Sequence, residues 1–271
     1  MIKGKLEAFS KVFILSATVA MILAAAPATM AAPASPSGSG TTSDPYVLVS
    51  KENLEWFSNK VNGGAVTANA KLGSDIDARG LSMDPIGTSD HPFTGVFDGQ
   101  EHLIKNLKIV KPNSNNVGLF GFTEYGSVIK NLGLENESVL GASFTGGLVG
   151  RSYSIIENCY TTGSVSSSYN GFNVGGLVGN NHGIIKYSYS GADVSASFIR
   201  AGGLVGQNGG TPTKEAEIID SSATGSVAAR GMVGGLVGEN CSFGSVTNST
   251  ASGGVSGRDF TGDVVGRNVP W

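Results

Sequence analysis

Charged side chains are scarce in this sequence, and basic ones are not in surplus. They make up 14% of the 271 residues, with 18 basic against 21 acidic side chains and a formal net charge of −3. Because the chain has no basic stripe, it lacks the electrostatic pattern of nucleic-acid-binding proteins, and we expect no nucleic-acid partner. The hydrophobic fraction of 40% also excludes an intrinsically disordered chain.

Histidine is nearly absent, which argues against a metal centre. The three histidines, His91, His102 and His182, have no second histidine and no cysteine at metal-ligand spacing, so we expect no metal and no cofactor. Asp75 and Asp77 are two residues apart and could hold Ca²⁺, but a polar strand end is the favoured interpretation.

The first 32 residues have the features of a secretory signal peptide. Three lysines precede an apolar run over residues 12–26, and small residues suit cleavage near Ala31 or Ala32. An uncleaved anchor is the rival interpretation, but the run is shorter than the roughly 20 residues that a spanning helix needs. We therefore expect a secreted or cell-surface protein, with no membrane insertion after cleavage.

Two further segments precede the repetitive part of the chain. Residues 33–43 are rich in Pro, Gly and Ser and are predicted to form a flexible linker. Residues 44–103 are predicted to form an N-terminal capping region. Within it, the apolar spacing and a capping Ser50 predict a helix over residues 51–61. An Asp-Gly pair predicts a hairpin over residues 96–104.

Residues 104–271 repeat with a period of 27 to 32 residues. The block Gly-Leu-Val-Gly occurs at 147–150, 176–179, 203–206 and 235–238, with degenerate copies at 118–121 and 263–266. A second block follows each of the first five copies and begins with Ile129, Ile156, Ile185, Ile218 or Val246. A unit of this length cannot bury its own apolar side, so neighbouring units must stack.

The repeats predict an all-β fold, a right-handed parallel β-solenoid of about six rungs with an N-terminal cap of helix plus hairpin. They lack a helical pattern and the roughly 40-residue blade of a propeller. The second-block residues are expected to stack inward, as are Leu119, Leu148, Leu177, Leu204 and Leu236. A ladder of side-chain amides is expected from Asn181, Asn208, Asn240 and Asn268.

The solenoid also predicts the state of the two cysteines. Cys159 and Cys241 lie in repeats three copies apart. At about 4.8 Å per rung their separation exceeds the roughly 7 Å between Cα atoms that a disulfide spans. We expect two free thiols, although export would allow pairing.

The GGLVG block and the pattern IxNSYATGSV resemble the GLUG motif family of bacterial exported and surface proteins. The run from Asp44-Pro45-Tyr46 to Ile104-Lys105-Asn106-Leu107 resembles the segment that precedes such repeats. The resemblance implies the solenoid fold and a place in adhesin-like surface proteins. Similar repeats also occur beside the catalytic regions of IgA-cleaving metallopeptidases, but this sequence has no HExxH motif.

The segments between rungs carry the candidate binding residues. They hold aromatic and arginine side chains at equivalent places, which could contact an extracellular glycan or a surface protein. These candidates are Tyr169, Phe172, Phe198, Arg200, Arg230, Arg258 and Phe260. The alternative is that some of the aromatic residues belong to the core and the arginines only keep the surface soluble.

The expected function is therefore a non-catalytic adhesive module that binds carbohydrate or protein, with no catalytic residues. The alternative is a polysaccharide-active lyase or hydrolase on the same fold, which would need two carboxylates about 5–10 Å apart. No such stacked pair is evident in the repeats. At the C-terminal end, where little follows Gly266, we expect weak protection and self-association.

Overall fold

The computed structural model describes residues 35–269, so the predicted signal peptide lies outside the described residues. Residues 35–269 form one helix, Lys51–Asn62, and 28 strands in three sheets. No helix in this part of the chain is long and apolar enough to cross a membrane.

The three sheets are built from strands that pair in parallel. The first sheet contains Tyr46–Leu48, Ala70–Leu72, Ile76–Asp77, Val96–Asp98, Leu103–Lys105, Lys108–Val110, Val128–Gly141, Ile155–Ser167, Ile184–Lys186, Tyr189–Ser190, Asp193–Ser195, Ala216–Ile219, Ser222–Ala223, Val227–Ala228, Gly244–Thr247, Thr250–Ala251 and Val255–Ser256. The second contains Phe120–Thr123, Val149–Ser152, Val178–Asn181, Val205–Asn208, Val237–Asn240 and Val265–Asn268. The third contains Thr145–Gly146, Val174–Gly175, Ala201–Gly202, Met232–Gly234 and Phe260–Gly262.

The fold is a parallel β-solenoid, as the repeats predict, but it has about seven turns where about six were expected. One column of paired residues follows it from end to end: Tyr46, Ala70, Phe97, Ile129, Ile156, Ile185, Ile218 and Val246. The first three members lie in the predicted capping region. The solenoid therefore begins earlier than residue 104, which explains the turn beyond the expected six.

The predicted inward stacks form the core. Ile129, Ile156, Ile185 and Ile218 are fully buried, and Val246 is partly buried against them. The leucines of the five Gly-Leu blocks are also fully buried. The glycines beside them permit close backbone approach, since a Cβ on Gly146 would lie 2.3 Å from the carbonyl oxygen of Val149.

The predicted asparagine ladder is present along one turn of the solenoid. The Nδ2 of Asn181 donates to Oδ1 of Asn208 at 2.8 Å, and Asn208 donates to Asn240 at 2.9 Å. Asn240 donates in turn to Asn268 at 3.0 Å. Because Asn181, Asn208 and Asn240 are buried, the ladder satisfies polar groups that would otherwise be costly to bury, and the exposed Asn268 ends it.

The structure of the N-terminal region confirms the predicted helix but differs from the expected hairpin and the expected linker. Helix Lys51–Asn62 begins after Ser50, whose Oγ accepts from the Asn53 amide at 3.3 Å. The predicted hairpin is wrong, because Val96–Asp98 and Leu103–Lys105 both pair in parallel with Val128–Gly141. Positive φ angles at Gln100 and Glu101 turn the chain at a solenoid corner between them.

The predicted linker also differs from the structure over its described part. The amides of Ser39 and Gly40 donate to the carbonyl of Asp44 at 3.0 and 2.9 Å, and Ser37 bridges Val47. These bonds hold a turn against the first strand, so this part of the segment is not free of structure.

The cysteines are free, as the solenoid spacing predicts. Cys159 is buried, while Cys241 is half-buried beside Gln207 and Glu239. The carboxylates of Asp75 and Asp77 both contact protein groups: Lys105 lies 3.1 Å from Asp75, and Asn106 donates to Asp77 at 3.0 Å. Residues 35–269 contain no group of three His, Cys, Asp or Glu side chains that could hold a metal.

Candidate binding surfaces

The predicted binding residues lie on one edge of the solenoid, but three of them are engaged within the chain. Phe172 packs edge-on against Phe144, with ring centroids 5.1 Å apart. Arg200 forms an ion pair with the buried carboxylate of Glu239. Phe260 lies under the guanidinium of Arg267. These three side chains therefore have structural partners.

Phe260 is nevertheless 51% exposed, and the other four residues are exposed as well. Tyr169 and Phe198 are 82% and 44% exposed, and Arg230 and Arg258 are also exposed. The amide of Arg230 donates to the carbonyl of Phe198, and the amide of Arg258 donates to that of Arg230, both at 3.1 Å. The structure thus brings Phe198, Arg230 and Arg258 into one row over successive turns. Whether this row binds anything stays a prediction.

A cleft of about 380 Å³, which the sequence did not reveal, lies at the corner between the second and first sheets. Its wall is a row of three rings from successive turns. The ring centroids of Tyr125 and Tyr153 are 4.9 Å apart and meet edge to face. Those of Tyr153 and His182 are 4.6 Å apart and stack face to face. The row presents a continuous aromatic surface.

The rings are fixed from behind by Arg151. Its guanidinium lies over the rings of Phe122, Phe144 and Tyr153 at 5.5–5.6 Å. Its Nη2 also donates to the Tyr153 hydroxyl at 3.0 Å. Because stacking and hydrogen bonding both constrain the same tyrosine, the wall is rigid before any ligand arrives.

His182 contributes to the cleft as a neutral ring. Burial lowers its pKa, and Arg151 lowers it further, against the opposing effect of the Gly209 carbonyl. Asn180 Nδ2 lies 3.0 Å from Nε2, and Nδ1 is in hydrogen-bond contact with that carbonyl oxygen. The pattern requires Nε2 to accept and Nδ1 to carry the proton, so neither ring nitrogen is available as a metal ligand or general base.

The opposite wall is the insertion between repeats at residues 209–216. A turn is closed there by reciprocal backbone bonds between Thr211 and Lys214. Lys214, Glu215 and Glu217 line the cleft. Its floor is formed by Ile155 and Ile184, and Ile155 is 39% exposed.

Two sequence signals could have indicated this cleft. Tyr153 lies two residues before Ile155, and His182 lies two residues before Ile184. Because Ile155 and Ile184 are paired in register, the two rings come to lie in neighbouring turns. The longest insertion of the repeats lies next to that corner. The spacing of the repeats does not indicate that this insertion contacts Tyr125, which lies three repeats earlier in the chain.

Comparison with known proteins identifies the repeats and supports the fold. A model of the GLUG motif matches residues 141–166, 199–228 and 229–256. A solved structure from Bacteroides ovatus, titled as an immunoglobulin A1 protease, is similar with a TM-score of 0.56 and 22% sequence identity. The match covers 83% of this chain and 86% of that one. At this identity the likeness shows the fold alone.

Two curated relatives share sequence with about half of the chain. Halomucin of Haloquadratum walsbyi is 35% identical over 143 residues, which are 48% of this chain and 2% of halomucin. A protein of Evansella cellulosilytica, named as a Gly-rich membrane protein, is 34% identical over 127 residues, 45% of this chain and 15% of the relative. The chain therefore spans only a small part of the length of these relatives.

Proposed function

We propose that this GLUG-motif repeat protein is a non-catalytic extracellular or cell-surface module that binds carbohydrate in its aromatic cleft. The predicted leader supports export, and a relative named as a membrane protein is consistent with the cell surface. The solenoid supplies a rigid scaffold on which loops and corner residues can be presented.

The cleft is the observation that carries the proposal. Ligand sites are concave, largely apolar and furnished with a few polar groups. Here the rings of Tyr125, Tyr153 and His182 line the cleft, and the parts of them that their contacts with one another leave uncovered offer apolar area to the C–H groups of a sugar. The rim carboxylates of Glu215 and Glu217 can accept hydrogen bonds from hydroxyl groups.

The charges of the rim favour an uncharged glycan. Two carboxylates face the cleft, whereas the ammonium of Lys214 lies against the Tyr125 ring. A polymer of uronic acids would bring further negative charge towards Glu215 and Glu217, which costs free energy. We therefore expect neutral polysaccharides to bind better than polyuronates.

A glycan array followed by calorimetry with the bound glycans tests the proposal. Tyr153→Ala should weaken binding at least about tenfold, or about 1.4 kcal/mol, because it removes the central ring. Tyr187→Ala is the matched control, since Tyr187 is 57% exposed and outside the cleft. Thermal melts establish that both variants fold. No bound glycan, or equal weakening by the two variants, contradicts the proposal.

Polysaccharide cleavage is the second candidate function, because two glutamates line the same cleft. A hydrolase needs an acid and a base or nucleophile on either side of the bond. Incubation with the bound polysaccharides and measurement of new reducing ends distinguishes the two. Turnover that is lost in both Glu215→Gln and Glu217→Gln would establish an enzyme, whereas binding without turnover supports the module.

A further inference from the structure

A column of side chains on the outer face of the first sheet changes character halfway along. In parallel register it contains Leu103, Gly133, Tyr160, Tyr189, Ser222 and Thr250. Two tyrosines stand in successive turns, and two small hydroxyl residues follow them. The column is separate from the cleft, whose lining includes none of these residues.

The tyrosines form a parallel stack that is anchored at one end. The rings of Tyr160 and Tyr189 are 4.7 Å apart and within 3° of parallel. The Tyr160 hydroxyl donates to Glu135 at 2.9 Å. Tyr160 also covers Gly133, where a Cβ would lie 2.5 Å from the ring. Both faces of Tyr160 are therefore engaged.

Tyr189 has one face on Tyr160 and the other towards the next turn. There the column continues with Ser222, whose side chain cannot cover a ring. Tyr189 remains 43% exposed, and Thr250 beyond Ser222 is exposed as well. The stack thus ends in an open slot with an aromatic wall and hydroxyl groups on the adjoining surface.

We propose that the free face of Tyr189, with the hydroxyls of Ser222 and Thr250, is a second carbohydrate subsite that holds one pyranose ring. The inference rests on the proposed function for the ligand class, and it adds a site that the cleft does not contain. A pyranose continues the stack with its C–H face and bonds the two hydroxyls through its own hydroxyl groups. A phenyl ring could also stack on Tyr189 but could not bond the two hydroxyls, which would stay hydrogen-bonded to water.

The charges beside the slot fit a neutral sugar. Lys186 and Glu157 are paired at 3.2 Å on the strand segment before the tyrosines. Burial raises the pKa of Tyr189, and Glu135 raises it further, so the phenol is uncharged at neutral pH. The slot therefore offers stacking and hydrogen bonding, and the carboxylate of Glu135 beside it disfavours an anionic sugar.

The experiment is a titration of full-length protein, with tyrosines labelled with ¹³C, against four methyl pyranosides: glucose, galactose, mannose and N-acetylglucosamine. Ring signals are assigned by single Tyr→Phe variants, and each sugar is followed to saturation. We expect the Tyr189 signals to shift saturably with at least one sugar. Tyr153→Ala should leave that shift intact, because the cleft is a separate site.

Ser222→Tyr is the decisive variant, because it extends the stack and fills the slot without removing a core residue. It should abolish the Tyr189 shift while the protein stays folded. Ser164→Tyr adds a ring to another exposed position of the first sheet and should have no effect.

The outcomes separate this inference from the proposed function. Shifts at Tyr153 alone, unaffected by Ser222→Tyr, overturn the second subsite and leave the cleft as the binding site. Shifts at Tyr189 alone, lost in Ser222→Tyr, support the subsite and count against the cleft. Absence of any saturable shift with these sugars overturns the subsite, and the glycan array then decides the cleft by itself.

Discussion

Lys214 reaches back across three repeats to lie over Tyr125, with its Nζ 3.3 Å from the ring centroid. The contact joins the insertion at residues 209–216 to the first ring of the aromatic wall. It therefore closes the cleft at one end and fixes the loop that forms its opposite side. A cation held against an aromatic face contributes about 0.5–2 kcal/mol.

Removing this contact should loosen the loop without unfolding the solenoid. Lys214→Ala is expected to lower hydrogen-exchange protection of the Thr211 and Lys214 amides by about fivefold, corresponding to about 1 kcal/mol of cation–π energy. Lys214→Arg keeps a cation over the ring and should retain most of the protection. Equal protection in the alanine variant and the wild type would show that the loop is held by its own turn alone.

Glu137 should make the stability of the protein fall with rising pH. Its carboxyl group is fully buried, neither oxygen has a hydrogen-bond partner, and burial raises its pKa well above the usual value of 4.5. Above the unfolded-state pKa the folded protein holds the proton more tightly than the unfolded chain. The unfolding free energy therefore drops by about 1.4 kcal/mol per pH unit until the folded-state pKa is passed.

Urea denaturation between pH 4.5 and 9 checks this dependence. Glu137→Gln should remove this fall, because glutamine carries no titrating proton. The opposite effect of His182, whose lowered pKa makes stability rise with pH up to about its ordinary pKa of 6.5, should remain. Glu55→Gln removes a carboxyl group at a partly exposed position and serves as the control variant. Hydrogen bonds from the Leu103 amide and Lys105 lower the pKa of Asp75, so below this range its contribution to the unfolding free energy is lost as the pH falls. The same pH dependence in Glu137→Gln and the wild type would contradict the role of Glu137.

Two neighbouring isoleucines should respond very differently to a buried charge. Ile185 is fully buried in the core column, whereas Ile184 faces outward on the cleft floor. Ile185→Asp should cost more than about 3 kcal/mol and unfold the chain cooperatively. Ile184→Asp should cost less than about 1 kcal/mol at this partly exposed position. Thermal melts compare them, and similar melting temperatures would refute the rung assignment.

The two cysteines should both titrate as thiols, at different rates. Burial raises the pKa of Cys159 to about 12, and burial with Glu239 nearby raises that of Cys241. An aromatic disulfide reagent should react slowly with Cys241 and hardly at all with Cys159 while the protein is folded. After denaturation two thiols should be found. A count of zero would mean that the cysteines pair after all.

The last described turn should be the least protected part of the solenoid. Val246, Val255 and Val265 are only partly buried, whereas Ile218 and Val227 in the turn before are buried. Strand edges with exposed apolar atoms favour association with another chain. We expect hydrogen-exchange protection to fall from residues 145–180 towards residues 255–269, and sedimentation to show association at high concentration. Uniform protection in a monomer would argue against both expectations.

The helix and the repeated core could be predicted because their signals are local or periodic. Ser50 and the spacing of Leu54, Phe57 and Val61 are sufficient for one amphipathic helix. The 27–32-residue period places Ile156 beside Ile185 because parallel stacking brings equivalent residues into register. Free cysteines and the asparagine ladder follow from the same geometry.

The tertiary structure decided what pairs with the irregular segments. The Asp-Gly pair at Asp98 favours a hairpin locally, but in the fold both flanking strands satisfy their backbone groups by pairing in parallel with Val128–Gly141. Residues 46–110 lack the Gly-Leu-Val-Gly block, so their membership of the solenoid became evident only from the pairing of Tyr46 with Ala70 and of Phe97 with Ile129.

The sequence by itself determined the stack of buried side chains, because each repeat has one apolar side that only its neighbours can cover. The surface sites depended on the tertiary structure. Tyr125, Tyr153 and Lys214 meet because an insertion folds back along the solenoid axis, and Tyr189 has an open face because the following turn contributes Ser222. Such contacts join side chains from different turns at the surface. Surface positions need not be apolar in every repeat, so these contacts produce no periodic pattern in the sequence.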